Sequence, residues 1–270
     1  MPLVYAGRPL VMGILNVTPD SFSDGGQFLS ADRAVAHGVQ MAAAGADLID
    51  IGGESTRPGS TGVPLEEELR RVLPVVEALA TRVKIPLSVD TSKAEVAHAA
   101  LEAGASLIND VTALRGDVKM AEVVARAEAG LILMHMRGTP GTMQQDPQYE
   151  DVVGEVTAFL AEAVQRAEAA GVAHERILID PGLGFGKTPR HNLSLLQHLS
   201  ALTTIGCPVV IGPSRKSFIG ETLRSNVQDR QAGTLACVAH AMRCGVQIVR
   251  VHDVVPVVHL LRMLDAIARA

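Results

Sequence analysis

Acidic and amide side chains follow several short apolar runs of this chain, and they are the first candidates for chemistry. Asp90 ends the segment PLSVD, Asn109 lies in SLIND and Asp180 ends RILID. A carboxylate at the end of a strand buried on both faces needs a specific partner, so we expect Asp90 and Asp180 to contact a ligand. Two carboxylates and an amide at fixed separation suit a flat, nitrogen-rich heterocycle that carries several N–H groups.

Basic side chains follow other apolar runs, although the chain as a whole is acidic. The formal net charge is -5 at pH 7, with 24 Lys and Arg against 29 Asp and Glu. This balance argues against a nucleic-acid partner, because it provides no global positive field. The cationic candidates are Arg57, Arg215, Lys216, Arg250 and His252, of which Arg215 fits a solvated surface position best. Cations gathered at one site indicate a phosphate or diphosphate, so the whole set predicts a heteroaromatic substrate with a diphosphate leaving group.

Three loops are long and rich in Gly, Pro and hydroxyl residues. Residues 18–27 and 52–63 have the composition of mobile lids that close over a substrate, although ordinary connections would also explain them. Residues 137–148 are long enough to shape the rim of a site. The segment DPGLGFGK, 180–187, lacks the spacing of a phosphate-binding P-loop.

The elements that position these residues follow a repeated pattern of a short apolar run and a longer alanine-rich helix. The apolar runs are 11–15, 48–51, 87–89, 107–108, 131–134, 177–179, 209–211 and 248–251. The helical patterns are 30–44, 65–83, 93–103, 118–129, 152–170, 192–202, 230–244 and 254–268, with Ser92 as one expected N-cap. Continuous apolar strands joined by helices indicate a parallel sheet covered on both faces.

Eight such units predict an α/β fold, a (β/α)8 TIM barrel with the active site at the C-terminal ends of the strands. The alternative is an open doubly wound sheet, which typically has a Gly-rich turn after its first strand, where this chain reads NVTPDSFSDGG. With no linker or change of composition, we expect one domain over residues 1–270.

Composition and cysteine use bound the class of protein. The 270 residues are 47% hydrophobic and 20% charged, which excludes a disordered or collagen-like chain. Cys207, Cys237 and Cys244 are too few and too scattered for a disulfide framework or a zinc site, so a reducing cytosol fits. Apolar runs are far shorter than the roughly 20 residues that span a bilayer. We therefore expect a cytoplasmic protein with no membrane partner.

The motifs taken together resemble the dihydropteroate synthase family, the folate-biosynthesis enzymes that sulfonamides target. The matching segments are MGILNVTPDSFSDGG (12–26), DIGGESTRPG (50–59), SVDTSK (88–93), IND (108–110), MHMRGTP with TMQ (134–144), DPGLGFGK (180–187), GPSRKSFIG (212–220) and RVHDV (250–254). They extend over nearly the whole chain. The resemblance implies a transferase that condenses 6-hydroxymethyl-7,8-dihydropterin diphosphate with 4-aminobenzoate, giving 7,8-dihydropteroate and diphosphate.

The resemblance also implies a role for individual residues of this chain. It makes Asp90, Asn109, Asp180 and Lys216 pterin-binding residues, with Met134, Phe185 and Gly212 lining the pterin pocket. Asn16 would contact Mg2+ and diphosphate, and Arg250 and His252 would hold the phosphates. Thr56, Arg57 and Pro58 would belong to the second lid and Phe22 to the first, while Lys216 and Ser217 would flank the 4-aminobenzoate site.

The mechanism implied by the resemblance is dissociative substitution. Arg250, His252 and Mg2+ bound at Asn16 would stabilise charge on the departing diphosphate, and Asp90 and Asp180 would stabilise the cationic pterin methylene. Lid closure would exclude water. The family is usually homodimeric, and the apolar content of segments 230–244 and 254–268 makes them the candidate interface.

Three other functions are compatible with parts of the pattern. A methyltetrahydrofolate-binding methyltransferase barrel has a similar pterin pocket but no diphosphate to release, so the anion set Arg250 and His252 disfavours it. A Schiff-base aldolase would use Lys216, which we expect in a loop. A non-catalytic pterin-binding homologue would keep the pocket without turnover, and the intact lid segments argue against it.

Overall fold

The computed structural model describes residues 7–18, 27–56 and 59–270 of the chain. Eight parallel strands are present: β1 Leu10–Asn16, β2 Leu48–Gly52, β3 Leu87–Asp90, β4 Leu107–Asp110, β5 Gly130–Met134, β6 Ile177–Asp180, β7 Val210–Ile211 and β8 Ile248–Val251. Their neighbour order is β6-β5-β4-β3-β2-β1-β8-β7, and a parallel bridge between Ile179 and Val209 joins the two ends. The predicted TIM barrel is confirmed.

Helices alternate with these strands in the described part of the chain. They are α1 Gln27–Ala43, α2 Leu65–Arg82, α3 Ala94–Glu102, α4 Met120–Arg126, α5 Val152–Ala169, α6 Pro189–Gln197, α7 Ser217–Leu223, α8 Gln231–Arg243 and α9 Val254–Arg269. The sequence pattern missed α7, which has only seven residues. The helix predicted over 192–202 is in fact the end of α6 followed by a 3₁₀ segment, Leu199–Ile205.

The outer surface of the barrel packs against one apolar side of each long helix. In α2, the buried Val72, Val75, Val76 and Leu79 recur at the spacing of one helix face. None of the helices in the described ranges is long and apolar enough to cross a membrane. The expected N-cap at Ser92 is wrong: Lys93 occupies the cap position of α3, and Asp117 Oδ2 accepts from the backbone N–H of Ala94 at 2.9 Å.

Inside the barrel, one apolar layer is followed by one layer of polar and small side chains. The apolar layer consists of Leu10, Met12, Leu48, Leu107, Ile132, Leu178, Val210 and Ile248. Because strand side chains alternate between faces, the next inward side chain lies two residues further on. Those next residues include Asp50, Asn109, Met134, Asp180, Gly212 and Arg250. The strand period therefore points most of the predicted site residues into the C-terminal mouth of the barrel.

Candidate active site

Arg250 of β8 bridges two carboxylates in the barrel mouth. Its Nε donates to Asp50 Oδ2 at 2.6 Å, and its Nη2 donates to Asp90 Oδ2 at 2.9 Å. The Arg250 side chain is 19% exposed, while those of Asp50 and Asp90 are 0% and 7% exposed. Burial raises the pKa of the Asp90 carboxyl to about 8, and Arg250 opposes that shift. The charge on Asp90 therefore depends on the guanidinium beside it.

Asp50 is a site residue that the motif assignments missed. Its Oδ2 also accepts from Asn109 Nδ2 at 3.0 Å, so a single oxygen orients both Arg250 and Asn109. Its Oδ1 is buried and has no hydrogen-bond partner in the described residues. The sequence signal is a carboxylate in the middle of the apolar segment LIDIG, where burial requires a charged or donor partner.

Asp180 and Lys216 are the second acidic and basic residues of the mouth, and the charge of each influences the pKa of the other. Burial raises the pKa of the Asp180 carboxyl, and Lys216 opposes the shift. Burial lowers the pKa of Lys216 to about 8, against the influence of Asp180. The Lys216 ammonium lies 4.5 Å from the centre of the Phe185 ring and donates to the carbonyl oxygen of Leu183. Lys216 is the N-cap residue of α7 and has extended backbone, so it ends the loop in which it was expected.

Apolar side chains line the part of the mouth next to this pair. Phe185 packs against the buried cluster of Val111, Met134, Met136 and Met143. Gly212 follows β7 directly, and a Cβ added there would lie 3.9 Å from Lys216 Nζ and from Arg250 Cβ. Gly212 therefore adds no side chain between Lys216 and Arg250.

Ser214, which follows β7, and His252, which follows β8, contact each other. His252 Nδ1 lies 3.0 Å from the Ser214 hydroxyl oxygen, which also accepts from the His252 backbone N–H at 3.2 Å. Ser217 is exposed at the start of α7. Arg215 is directed away from this contact and pairs with Asp253 at 2.6 Å, as its surface alternative predicted.

Asn16 and Thr56 lie on the side of the mouth formed by β1 and β2. Asn16 ends β1, and its Oδ1 would lie 3.8 Å from a Cβ added to Gly52. Thr56 is half-buried in the segment after β2. The predicted lid residues Phe22, Arg57 and Pro58 lie outside the described residues.

An ion-pair cluster holds the two ends of the segment between β2 and α2. Lys93 Nζ lies 2.5 Å from Glu54 Oε2 and 2.5 Å from Glu68 Oε2, and Glu54 also accepts from the Val63 backbone N–H at 3.2 Å. Glu68 is buried on the first turn of α2. This arrangement fixes both flanks of the segment that contains Thr56, and the sequence pattern had not singled out Lys93 or Glu68.

Two polar residues near the mouth have structural partners. Asp110 accepts from the Thr112 hydroxyl, the Thr112 backbone N–H and the Leu114 backbone N–H at 2.6–2.8 Å. His135 packs edge-on against the Phe159 ring at 4.8 Å, and burial lowers its pKa to about 2. These contacts give both residues a structural role beside the mouth.

A separate cavity of about 470 Å³ opens between α3 and α4. Its lining includes His98, Glu102, Ser106, Arg126 and Ala129. Ser106 and Ala129 immediately precede β4 and β5, so this cavity lies at the N-terminal end of the strands. It contains none of the predicted site residues, and the chemistry belongs to the opposite end of the barrel.

The fold and the charged mouth define a barrel of the pterin-binding class. Residues 12–252 match the family described as pterin binding enzyme. The chain is 49% identical over 261 residues to the dihydropteroate synthase of Escherichia coli (strain K12), covering 96% of this chain and 92% of that relative.

Solved structures give the same result. The dihydropteroate synthase of Xanthomonas albilineans with 4-aminobenzoic acid has a TM-score of 0.92 at 51% identity, over 97% of this chain and 94% of that one. The complex of that enzyme with 7,8-dihydropteroate has a TM-score of 0.90 at 48% identity, over 99% of this chain and 96% of the other. The Yersinia pestis enzyme with a sulfonamide drug has a TM-score of 0.92 at 47% identity, over 100% of both chains. The chain therefore belongs to the pterin-binding enzymes and, within them, to the dihydropteroate synthase family of transferases.

Proposed function

We propose that this chain condenses 6-hydroxymethyl-7,8-dihydropterin diphosphate with 4-aminobenzoate to give 7,8-dihydropteroate and diphosphate. The observation that carries the proposal is the pair of buried carboxylates in one mouth, each beside its own cation: Asp90 with Arg250, and Asp180 with Lys216. Complexes of the 48–51% identical Xanthomonas albilineans enzyme with 4-aminobenzoic acid and 7,8-dihydropteroate support it.

The pterin ring binds in the inward layer of the barrel. Asp90, Asn109 and Asp180 present oxygen acceptors and an amide donor to the N–H and carbonyl groups of the ring, and Lys216 donates to it. Met134, Phe185 and Gly212 provide a flat apolar wall. The mouth thus offers polar groups at the edges of a ring and apolar contacts on its face.

The diphosphate binds beside the ring, where Arg250 and His252 supply donors. The Arg250 guanidinium approaches two carboxylates in this structure, so part of its charge already compensates Asp50 and Asp90. A second source of positive charge is therefore expected near a diphosphate, and Mg2+ fits that role.

Asn16 is the proposed protein ligand for Mg2+. Its amide oxygen is a hard donor at the end of β1, and Mg2+ is commonly held by one or two protein oxygens together with substrate phosphates and water. No cluster of three or more His, Cys, Asp or Glu residues suited to a metal occurs in the described ranges, which is compatible with such a substrate-assisted site. When bound, the ion would neutralise charge on the diphosphate.

The reaction is a substitution at the pterin methylene carbon. The C–O bond breaks and its electron pair leaves with diphosphate, whose charge Arg250 and His252 stabilise. Asp90 and Asp180 stabilise the positive charge that develops on the pterin side. The amine nitrogen of 4-aminobenzoate then forms the new C–N bond and loses a proton.

The second substrate approaches past Lys216 and Ser217, with Thr56, Arg57, Pro58 and Phe22 as the proposed lid contacts. Sulfonamides compete for this position, which the sulfonamide complex of the Yersinia pestis enzyme supports. Closure of the two lid segments keeps water from capturing the methylene cation.

The test of this function is diphosphate release from 6-hydroxymethyl-7,8-dihydropterin diphosphate, measured with detection of dihydropteroate. We expect product only when both 4-aminobenzoate and Mg2+ are added. Binding of the pterin without turnover would instead indicate a binding protein or a methyl-transfer relative.

Arg250→Ala tests the anion site directly. We expect loss of turnover, and unchanged turnover would overturn the assignment of Arg250 to the phosphates. Because the change leaves Asp50 and Asp90 buried without their cation, we also expect a loss of stability of about 3–5 kcal/mol. Circular dichroism and thermal unfolding separate the two effects.

The assembly and location belong to the same proposal. We propose a single-domain, cytoplasmic homodimer without nucleic-acid or membrane partners. Exposed apolar side chains on α9, namely Val255, Met263 and Ile267, support an interface there. A monomeric mass by light scattering at working concentration would refute the dimer.

A further inference from the structure

Lys187 is a buried residue of the segment that connects β6 to α6. It is 2% exposed. Its Nζ lies 2.8 Å from His135 Nδ1 and donates to the carbonyl oxygens of Gly182 and Phe185 at 3.0 Å each. Three short contacts to one ammonium join the segment to the end of β5.

The glycines of this segment allow it to lie directly against the chain that follows β5. Gly182 and Gly186 have φ values of +66° and +64°. A Cβ on Gly182 would lie 1.9 Å from the carbonyl oxygen of His135, and one on Gly186 would lie 2.4 Å from that of Arg137. The close backbone contacts and the positive φ angles restrict the conformation of residues 182–186. Lys187 stabilises that conformation by donating to two of its carbonyl oxygens.

The same segment supplies both contacts of the Lys216 ammonium. These are the carbonyl oxygen of Leu183 and the ring of Phe185. Lys187 binds the carbonyl oxygens of Gly182, which precedes Leu183, and of Phe185 itself. Asp180, the charged partner of Lys216, ends the strand that enters the segment and accepts from the Gly182 N–H at 2.6 Å. Any shift of the segment would move three groups relative to Lys216.

We propose that Lys187 is a positioning residue for pterin binding: it holds residues 182–185 so that Leu183 and Phe185 fix the Lys216 ammonium toward Asp180. The inference rests on the proposed function and assigns a residue outside the substrate site to it. Lys187 does not touch the substrate and acts through Lys216.

The electrostatics of the pocket agree with this role. Burial lowers the pKa of His135 to about 2, so the ring is neutral at ordinary pH and its Nδ1 is free to accept from Lys187. Burial also lowers the pKa of Lys187 well below its ordinary value, while Asp180 opposes the shift.

The test is a double-mutant cycle on the dissociation constant for 7,8-dihydropteroate, measured by calorimetry on the full chain. The four proteins are the unchanged chain, Lys187→Met, Lys216→Met and the double variant. We expect Lys187→Met to weaken binding roughly tenfold in the unchanged background, and less than about twofold when Lys216 is already Met. Lys119→Met, at an exposed lysine, is the matched control and is expected to leave binding unchanged.

A merely structural Lys187 predicts something different. It would lower the melting temperature and reduce the folded fraction, but the affinity per folded molecule would change equally in both backgrounds or not at all. Either result overturns the proposal. Failure of the unchanged chain to bind 7,8-dihydropteroate would instead contradict the proposed function.

A second variant keeps the test decisive if Lys187→Met folds poorly. Lys187→Gln retains one donor to the segment carbonyls and enters the same cycle. A partial loss of affinity that disappears in the Lys216→Met background supports the positioning role, and equal losses in both backgrounds overturn it.

Discussion

The guanidinium of Arg250 donates to Asp50 at 2.6 Å, and this contact joins the last strand of the barrel to the second. The two residues lie on either side of β1, where Arg250 is paired in register with Met12 and Asp50 with Ile14. Two residues that are 200 positions apart in sequence thus share one buried ion pair. Removing one partner of such a pair is costly, because the other charge remains buried.

Asp50→Asn is expected to lower kcat/KM for the pterin diphosphate by roughly 10- to 100-fold, because the amide keeps one acceptor oxygen but removes the negative charge that orients the Arg250 guanidinium. The measurement is steady-state kinetics with thermal unfolding as a parallel readout. Asp47→Asn is the matched control. Asp47 directly precedes β2 and accepts from the Arg8 side chain and from the Val11 backbone N–H, so this substitution should reduce stability but not kcat/KM. An Asp50→Asn enzyme with normal kinetics would show that Asp50 has no part in the site.

Affinity for 7,8-dihydropteroate is expected to fall above pH 8 by up to about tenfold per pH unit. Burial lowers the pKa of Lys216 to about 8, so its ammonium loses a proton in that range. Burial raises the pKa of Asp90 to about 8 as well, and its titration overlaps. Lys216→Arg separates the two, because arginine stays charged while Asp90 still titrates. A decline of equal size in Lys216→Arg would show that deprotonation of Lys216 is not its cause, because ionisation of Asp90 in the same range creates the acceptor that the pterin needs.

His135 is expected to make the fold sensitive to acid. Burial lowers its pKa to about 2, whereas an unfolded histidine titrates near about 6.5. Between these values the unfolded state binds more protons, so the stabilising contribution is complete above about pH 6.5 and is lost as pH falls toward 2. The slope from this residue reaches at most about 1.4 kcal/mol per pH unit.

Urea unfolding between pH 4 and 7 measures that slope. His135→Gln should reduce it, and His37→Gln, at an exposed position on α1, should not. Equal slopes in the unchanged chain and His135→Gln would show that other groups govern acid unfolding.

Gly182→Ala is expected to destabilise the chain by about 1–3 kcal/mol more than Gly245→Ala. Both glycines have positive φ, at +66° and +77°, so both substitutions carry the same kind of backbone strain. A Cβ on Gly182 would lie 1.9 Å from the His135 carbonyl oxygen, whereas one on Gly245 meets no atom of the described chain within 4 Å. Equal losses in chemical denaturation would mean that the segment moves freely away from β5.

The strands could be predicted from sequence because each is a short apolar run that the barrel buries on both faces. The C-terminal mouth followed from them, since polar residues come directly after these runs. Short elements differed: the seven-residue helix α7 was missed, whereas the two-residue strand β7 lies within the predicted apolar run 209–211. Such elements form because tertiary packing holds them, and they have too few residues for a clear period.

Site residues were predictable where a motif or a strand end marked them, as at Asp90 and Asp180. Asp50 and Lys187 lie within matched motifs, but the sequence assigned no role to either, because their importance depends on what they face. Lys187 ends the segment DPGLGFGK, which lacks the spacing of a phosphate-binding loop. Only the fold shows that its side chain binds the carbonyl oxygens of the same segment. The cap of α3 is similar, since Asp117 approaches from a different part of the chain.

By itself the sequence determined the barrel, the end at which chemistry occurs and the family, because apolar period and motif identity are local properties of the chain. The tertiary structure decided which charges share a partner: Arg250 with Asp50 and Asp90, and Lys216 with the segment that Lys187 holds. These pairings depend on distances between strands far apart in sequence. Burial then sets the pKa of each group, and burial is a property of the assembled fold.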